Sequence, residues 1–199
     1  MTNPCLILLG GNPGAGKSSI ASPLARAFGA AHIENDALAP LVDAGLALMG
    51  SLRANYDGAA YRQLRPAAYT AVTNLVEMQL RNGLSVVWAH PMQAEFQNDA
   101  TFLPTLKSIA DAHSASLHPF WIHTDEATAR KRLAERNHPK DHQKLQGWAA
   151  YRQTVNFGPI GDPRLAELAR CRVMVTNLPN PDGQLSVVID QITAAVRSR

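Results

Sequence analysis

A glycine-rich stretch near the start of the sequence places the strongest constraint on how this chain can fold. Residues 11–18 read Gly-Asn-Pro-Gly-Ala-Gly-Lys-Ser, which fits G-x-x-x-x-G-K-[ST], the pattern of a loop that wraps around phosphate groups. The apolar run at 5–9 predicts a buried strand before the loop, and apolar residues at helical spacing from Ile20 to Phe28 predict a helix after it. This order of strand, loop and helix is the context that the loop requires.

The residue types of this loop are those that phosphate binding needs. Glycines let successive backbone N–H groups point into one hollow, and the following helix directs the positive end of its dipole to the same place. We expect Lys17 to reach the β- and γ-phosphates of ATP and Ser18 to ligate Mg²⁺. The residues expected to bind the nucleotide are Gly11, Asn12, Pro13, Gly14, Ala15, Gly16, Lys17, Ser18 and Ser19.

Length, charge and cysteine content exclude several other classes of protein. The chain has 199 residues and a net charge of +3, which suits one domain over 1–199 and an anionic ligand. No long Lys/Arg run argues for nucleic acid, and no apolar run is long enough for a membrane span. Cys5 and Cys171 border apolar runs and are predicted to be reduced, which together with the lack of a leader sequence predicts a cytoplasmic protein.

Short apolar runs alternate with helical patterns along the rest of the chain. This predicts a three-layer α/β/α fold around a five-stranded parallel sheet. The segment 37–83 is mostly helical in pattern, with breaks near Gly45, Gly50, Asp57-Gly58 and Pro66. The segment 137–159 is polar and rich in Pro and Gly, and we interpret it as a mobile lid. Strands are expected at 5–9, 30–34, 84–89, 117–123 and 172–176.

Two acids follow the second predicted strand. Glu34 and Asp36 alternate onto the same side, at the edge where open α/β sheets bind ligands. Glu34 could help to hold Mg²⁺, and Asp36 could accept a proton from an attacking hydroxyl and so contact the acceptor. The structural alternative is that Asp36 caps the helix that begins at Ala37.

The segment between the second and third predicted strands carries candidates for binding an acceptor. Arginines and tyrosines there could hold a polar or anionic substrate, although a solvated helix face is an equal alternative for each. His90, at the end of the third strand, is a further candidate, or else a structural histidine. No acid follows that strand directly, whereas many phosphate-loop enzymes carry a Mg²⁺-binding acid there; Glu95 or Asp99 of the next helix is an alternative source. The acceptor candidates are Asp36, Arg53, Tyr56, Tyr61, Arg65 and His90.

The helix predicted at 126–136 is strongly basic. Arg132 and Arg136 are one turn apart and share a face, from which they could neutralise a phosphoryl group during transfer. A solvated basic face is the alternative. The turn-rich loop 177–183 follows the fifth predicted strand, and its Asn177 and Pro179 are expected to border the adenine.

The phosphate loop, the Glu34-x-Asp36 ending of the second strand and the sequence 132–136 before the lid together resemble the small P-loop kinases. This group includes zeta-toxin-like and chloramphenicol-phosphotransferase-like kinases and, more loosely, shikimate and gluconate kinases. The resemblance covers nearly the whole chain and implies sheet order 2-3-1-4-5. It assigns the role of base to Asp36, a possible Mg²⁺ contact to Glu34 and ATP contacts to Arg132 and Arg136.

The resulting hypothesis is an ATP-dependent phosphotransferase that acts on a hydroxyl of a small molecule. Two alternatives stay open at this stage: a nucleotide-binding regulatory module with little catalysis, and a toxin-like kinase of nucleotide-sugars. The sequence names neither the acceptor nor the oligomeric state.

Overall fold

The fold is built on one parallel sheet. The computed structural model describes residues 3–50, 59–160 and 175–198. Five strands pair in the order β2-β3-β1-β4-β5, and every pairing is parallel. The strands are β1 (Cys5–Gly11), β2 (Ala31–Glu34), β3 (Val86–Ala89), β4 (Ser116–His123) and β5 (Thr176–Pro179).

Helices connect the strands and cover both faces of the sheet. A 3-10 turn (Asn35–Leu38) follows β2. The helices are α1 (Lys17–Phe28), α2 (Ala39–Leu48), α3 (Ala59–Arg81), α4 (Gln93–Asn98), α5 (Phe102–Ala112), α6 (Glu126–Arg136), α7 (Pro139–Gln146), α8 (Trp148–Tyr151) and α9 (Leu185–Arg197). None of the helices within these ranges is long and apolar enough to cross a bilayer.

Strand alternation divides the core into two layers. Leu6 and Leu8 of β1 and Trp88 of β3 pack on the side of α3 and α5. Ile7 and Leu9 face the other side, toward α1 and α9. Because both faces of the central strands are covered, β1 is apolar almost throughout and buried over its whole length. The carboxyl end of this buried strand leads directly into the glycine-rich loop.

The predicted fold class and sheet order are confirmed. Some boundaries were wrong. Gly45 and Pro66 lie inside α2 and α3 and do not interrupt them. Residues 172–174 of the predicted fifth strand lie outside the described residues. The observed strand runs over Thr176–Pro179, where the sequence predicted a loop after 176. The segment 137–159, interpreted as a mobile lid, contains the helices α7 and α8, which the sequence analysis did not predict.

Candidate active site

The glycine-rich loop adopts a backbone that only glycine tolerates easily. Gly14 and Gly16 have φ values of +83° and +92°, in the left-handed region that disfavours side chains. A Cβ at Gly14 would lie 2.7 Å from the carbonyl oxygen of Ala129 in α6, and one at Gly16 would lie 2.5 Å from Nδ2 of Asn180. The loop is therefore packed closely between α6 and the residue that follows β5. Ser18 and Ser19 are exposed at the start of α1.

Lys17 is the electrostatic centre of the site. Its Nζ donates a hydrogen bond of 3.0 Å to the carbonyl oxygen of Asn12. The pKa of Lys17 is lowered from 10.5 to about 7, with desolvation by burial as the largest cause and the charge of Arg136 as the next. The carboxylates of Asp36 and Glu34 act in the opposite direction, and Lys144 adds a smaller lowering effect. These cations repel one another in the free protein, and a bound polyanion would offset that repulsion.

The charges of the two acids at the end of β2, Glu34 and Asp36, act on this lysine from different elements. Glu34 is the last residue of β2, and its Oε1 lies 3.0 Å from Nε2 of His32. Asp36 lies within the 3-10 turn, and its carbonyl oxygen accepts the N–H of Ala39. The helix α2 begins at Ala39 with Leu38 as its N-cap, so Asp36 does not cap this helix. The Asp36 side chain is exposed at the sheet edge.

The helix α6 brings one arginine onto the loop. Asp125 caps this helix by accepting the N–H of Thr128 at 2.8 Å. Arg132, two turns further on, donates from Nη1 to the carbonyl oxygen of Gly14 at 3.2 Å. Its Nε also donates to Oδ1 of Asp182 at 3.2 Å. Arg132 is thus held beside the loop from two directions.

The second arginine is held by an acid that the sequence analysis missed. Arg136 donates from Nε to Oδ2 of Asp141 at 2.8 Å, and Lys144 approaches Oδ1 of the same carboxylate at 3.3 Å. The Asp141 side chain is fully buried. Asp141 therefore fixes two cations that both act on Lys17. Its position in a polar stretch resembles that of any solvated acid, so no sequence signal distinguished it.

Asn180 is the second functional candidate that the sequence analysis missed. It is 2% exposed, and its Nδ2 donates to the carbonyl oxygen of Ala15 at 2.8 Å. Asn177 and Pro179, which are predicted to border the adenine, lie within β5, and their contact with adenine stays a prediction. The Asn177 side chain exchanges two hydrogen bonds with the backbone of Ile160, at 2.8 and 3.2 Å. The Asn177 side chain therefore holds the backbone at Ile160 in place.

The segment 156–160, which we call the tie, links the glycine-rich loop to α4 and β4. The Asn12 side chain donates from Nδ2 to the carbonyl oxygen of Asn156. The N–H of Asn156 lies 3.4 Å from Oε1 of Gln93 in α4. Trp121 of β4 donates from Nε1 to the carbonyl oxygen of Gly158 at 3.0 Å. The end of the predicted lid is therefore attached to the sheet and to the glycine-rich loop.

The end of β3 carries a cluster of aromatic and charged side chains from α3 and α4. Arg65 of α3 forms an ion pair with Glu95 of α4, and its guanidinium lies 5.0 Å from the ring centre of Tyr69. The ring of Tyr69 meets that of His90 edge-on at 5.0 Å. Trp88, beneath them, donates from Nε1 to Oδ1 of Asn35 at 2.8 Å, which places the cluster next to the turn that carries Asp36.

The other residues predicted to contact the acceptor do not all lie in this cluster. Arg53 and Tyr56 lie outside the described residues. Tyr61 lies in the first turn of α3 and is half-buried. Arg65 and His90 are brought together through Tyr69, although they belong to elements far apart in sequence.

Comparison with known proteins identifies the family. The model of a family described as "AAA domain" matches residues 6–157. The chain belongs to this family. A search among curated proteins finds no similar sequence.

Solved structures similar to this AAA-domain protein include several kinases. A gluconokinase from Sinorhizobium meliloti is 20% identical with a TM-score of 0.57, over 100% of this chain and 94% of that one. The APS kinase of Mycobacterium tuberculosis, in complex with AMPPNP and APS, is 13% identical with a TM-score of 0.59, over 99% of both chains. A sugar kinase from Janibacter is 12% identical with a TM-score of 0.59, over 98% and 95%. The likeness to small P-loop kinases is confirmed at the level of the fold.

The residues of this AAA-domain protein fit a magnesium–triphosphate group. The hollow at Gly14 and Gly16 admits no side chain, and the surrounding donors are cationic, namely Lys17, Arg132 and Arg136. Among the described residues no group of three or more His, Cys, Asp or Glu could hold a metal by itself. Mg²⁺ commonly takes one or two protein ligands and completes its shell with phosphates and water, so Ser18 with or without Glu34 is a sufficient set.

Proposed function

We propose that this AAA-domain protein transfers the γ-phosphoryl group of ATP to a hydroxyl group of a small molecule. The observation that carries this proposal is the arrangement around Lys17. Arg136 and Lys144 act on it as neighbouring cations, while Asp36 and Glu34 act on it as carboxylates from the end of β2. Cations that converge on a glycine-rich loop suit a polyphosphate, and a carboxylate at the adjacent sheet edge suits a hydroxyl that must lose a proton.

The residues of the loop and α6 would bind and orient the donor. Backbone N–H groups of residues 11–18 and the side chain of Lys17 would hold the phosphates, with Ser18 toward the metal. Mg²⁺, when bound, would supply positive charge that offsets the negative charge of the phosphates. Arg132, fixed by Gly14 and Asp182, and Arg136, fixed by Asp141, would neutralise negative charge on the transferred group.

Asp36 would act on the acceptor. The acceptor oxygen forms a bond to the γ-phosphorus while the bond from this phosphorus to the β–γ bridging oxygen breaks, which leaves ADP and a phosphate monoester. The hydroxyl proton passes to the Asp36 carboxylate. The helices α7 and α8 and the tie at Asn156 would limit access of water to the phosphoryl group.

An Asp36→Asn variant tests this proposal. We expect its kcat to fall by about 10²–10⁴-fold, because general-base catalysis contributes a factor of this size. Affinity for AMPPNP, measured by calorimetry, should stay within about twofold, because Asp36 is not assigned to the nucleotide. Activity is followed as ADP release and as the mass of the phosphorylated product, over a library of hydroxylated metabolites and antibiotics.

Asp111→Asn is the matched control, because Asp111 is an exposed acid paired with Lys107 on α5. This control should keep the wild-type rate. If Asp36→Asn and Asp111→Asn transfer phosphate equally well, Asp36 has no role as base. If the wild type binds AMPPNP but phosphorylates no compound in the library, a nucleotide-binding module without kinase activity accounts better for the site.

A further inference from the structure

The helix α7 brings a second lysine into the electrostatic environment of Lys17. Lys144 lies in the last turn of α7, and its side chain is 21% exposed. Its positive charge contributes to lowering the pKa of Lys17. Like charges that converge raise the free energy of the folded protein unless an anion lies between them. The sequence analysis assigned no role to Lys144, because it lies in the polar stretch of the predicted lid.

The partner of Lys144 in the nucleotide-free protein is Asp141. The Lys144 Nζ lies 3.3 Å from Oδ1 of this carboxylate. Arg136 donates to Oδ2 of the same carboxylate from Nε at 2.8 Å and also from Nη2. Charged N–H···O bonds are typically about 2.7–2.9 Å long, so the contact of Lys144 is the longer and weaker one. Asp141 therefore holds Lys144 less firmly than Arg136.

The charges of these three residues do not balance. The Asp141 side chain is fully buried, so its negative charge needs a compensating cation, and Arg136 supplies one through two hydrogen bonds. Lys144 is then a surplus cation. An ammonium group has three N–H donors, and Lys144 makes one hydrogen bond within the part of the chain that the structure describes. It can leave Asp141 without leaving a buried charge uncompensated.

The charges that act on Lys17 indicate which part of a nucleotide Lys144 would meet. Asp36 raises the pKa of Lys17 and Lys144 lowers it, so both groups lie within electrostatic range of this lysine. In the proposed reaction the γ-phosphoryl group lies between Lys17 and the hydroxyl at Asp36. It is the part of ATP that would be closest to all three side chains.

We propose that Lys144 is a further catalytic residue: when ATP is bound, its ammonium group leaves Asp141 and donates to an oxygen of the γ-phosphoryl group. Arg136 keeps its hydrogen bonds to Asp141, so the buried carboxylate stays compensated. The Lys144 ammonium offsets negative charge on the phosphoryl group during transfer, and it returns to Asp141 once the nucleotide is ADP. The catalytic part of this inference rests on the proposed phosphotransfer.

Nucleotides with and without a γ-phosphate test the inference. The affinities for AMPPNP and ADP are measured by calorimetry with Mg²⁺ present, for the wild type and for Lys144→Met, which removes the charge and keeps a similar length. We expect AMPPNP to bind about tenfold to a hundredfold more weakly, because a hydrogen bond to a charged group contributes a factor of this size, and ADP to change by less than about twofold. If both affinities fall by the same factor, or if neither falls, the inference is wrong.

Two variants and a stability measurement separate this contact from a structural role of Lys144. Lys107→Met is the matched control, because Lys107 also pairs with an aspartate of its own helix, on α5, and it should change neither affinity. Lys144→Arg keeps the charge and should retain AMPPNP affinity within about threefold. The urea midpoint of Lys144→Met should stay close to that of the wild type, because Arg136 still compensates Asp141. A loss in Lys144→Arg as large as in Lys144→Met, or a marked fall in the urea midpoint, would contradict the inference.

Binding and transfer are measured separately, so failure of this inference and failure of the proposed function are distinguishable. A loss of affinity confined to AMPPNP, in a protein whose wild type phosphorylates no compound of the library, would uphold the contact of Lys144 and reject the kinase proposal. Where a phosphorylated product is found, kcat should fall by about tenfold or more in Lys144→Met. Transfer by this variant at the wild-type kcat would support the kinase proposal and reject a catalytic role of Lys144.

Discussion

Replacing Lys17 with methionine should make the free protein more stable. The pKa of Lys17 falls from 10.5 to about 7 on folding, chiefly through desolvation. Between these two values the unfolded chain binds more protons than the folded one, so folding carries a penalty that shrinks as the pH rises. Methionine has a similar length and no charge, so the variant avoids this penalty. The hydrogen bond from Lys17 to Asn12 is lost, but the Asn12 carbonyl oxygen keeps the N–H of Ala15 at 3.0 Å.

The size and pH dependence of the gain follow from the difference between the two pKa values. A tenfold change in the proton-binding constant corresponds to about 1.4 kcal/mol, so the penalty is about 4 kcal/mol at pH 7 and about 2 kcal/mol at pH 9. Below pH 7 it approaches a constant value of about 5 kcal/mol. Loss of the hydrogen bond offsets about 1 kcal/mol of the gain at either pH. The gain from Lys17→Met should therefore be clearly larger at pH 7 than at pH 9.

Urea denaturation of the nucleotide-free protein at both pH values measures this difference. Lys131→Met is the control, because Lys131 is an exposed lysine on α6, paired with Asp182, and its replacement should bring no such gain. AMPPNP binding should be strongly weakened in Lys17→Met, since the lysine is assigned to the phosphates. A Lys17→Met protein that is less stable than wild type at pH 7, or whose gain is equal at pH 7 and pH 9, would refute the electrostatic argument.

Two further predictions concern residues that support the site. Asn180→Ala removes the donor to the Ala15 carbonyl oxygen, so it should lower the free energy of unfolding by about 1–3 kcal/mol and weaken AMPPNP binding. If calorimetry shows unchanged AMPPNP affinity, the loop keeps its shape without this amide. Asp141→Asn leaves Arg136 and Lys144 without their buried counter-charge, so the KM for ATP should rise and the urea midpoint should fall. Steady-state kinetics that match wild type would contradict a positioning role for Asp141.

Much of the fold could be predicted because its signals are local. The glycine-rich loop, the apolar run before it and the helical spacing after it are contiguous in sequence, and β1 and α1 follow from them. The end of the fifth strand was wrong for a physical reason. Turn-forming residues at 177–183 predicted a loop, whereas Asn177 is held in an extended strand by pairing with β4 and by its contacts with Ile160.

The contacts of the site that were missed depend on pairing across long separations. Glu95 pairs with Arg65 over 30 positions, and Asn180 pairs with Ala15 over 165 positions. Asp141 is close to Arg136 in sequence, but its burial depends on α7 folding back against α6. A polar residue in a polar stretch predicts solvent exposure unless its partner is known, and one sequence does not provide that partner.

The tie at Asn156 bears on how the two substrates would influence each other. One peptide group contacts Asn12 in the glycine-rich loop, and its neighbour contacts Gln93 on the helix that carries Glu95. A ligand that shifts either contact therefore changes the free energy of the other. Such coupling is reciprocal by thermodynamic necessity: the factor by which nucleotide changes acceptor affinity equals the factor by which acceptor changes nucleotide affinity. The proposed donor and acceptor sites would thus share one short piece of backbone, so that binding at one could be measured at the other.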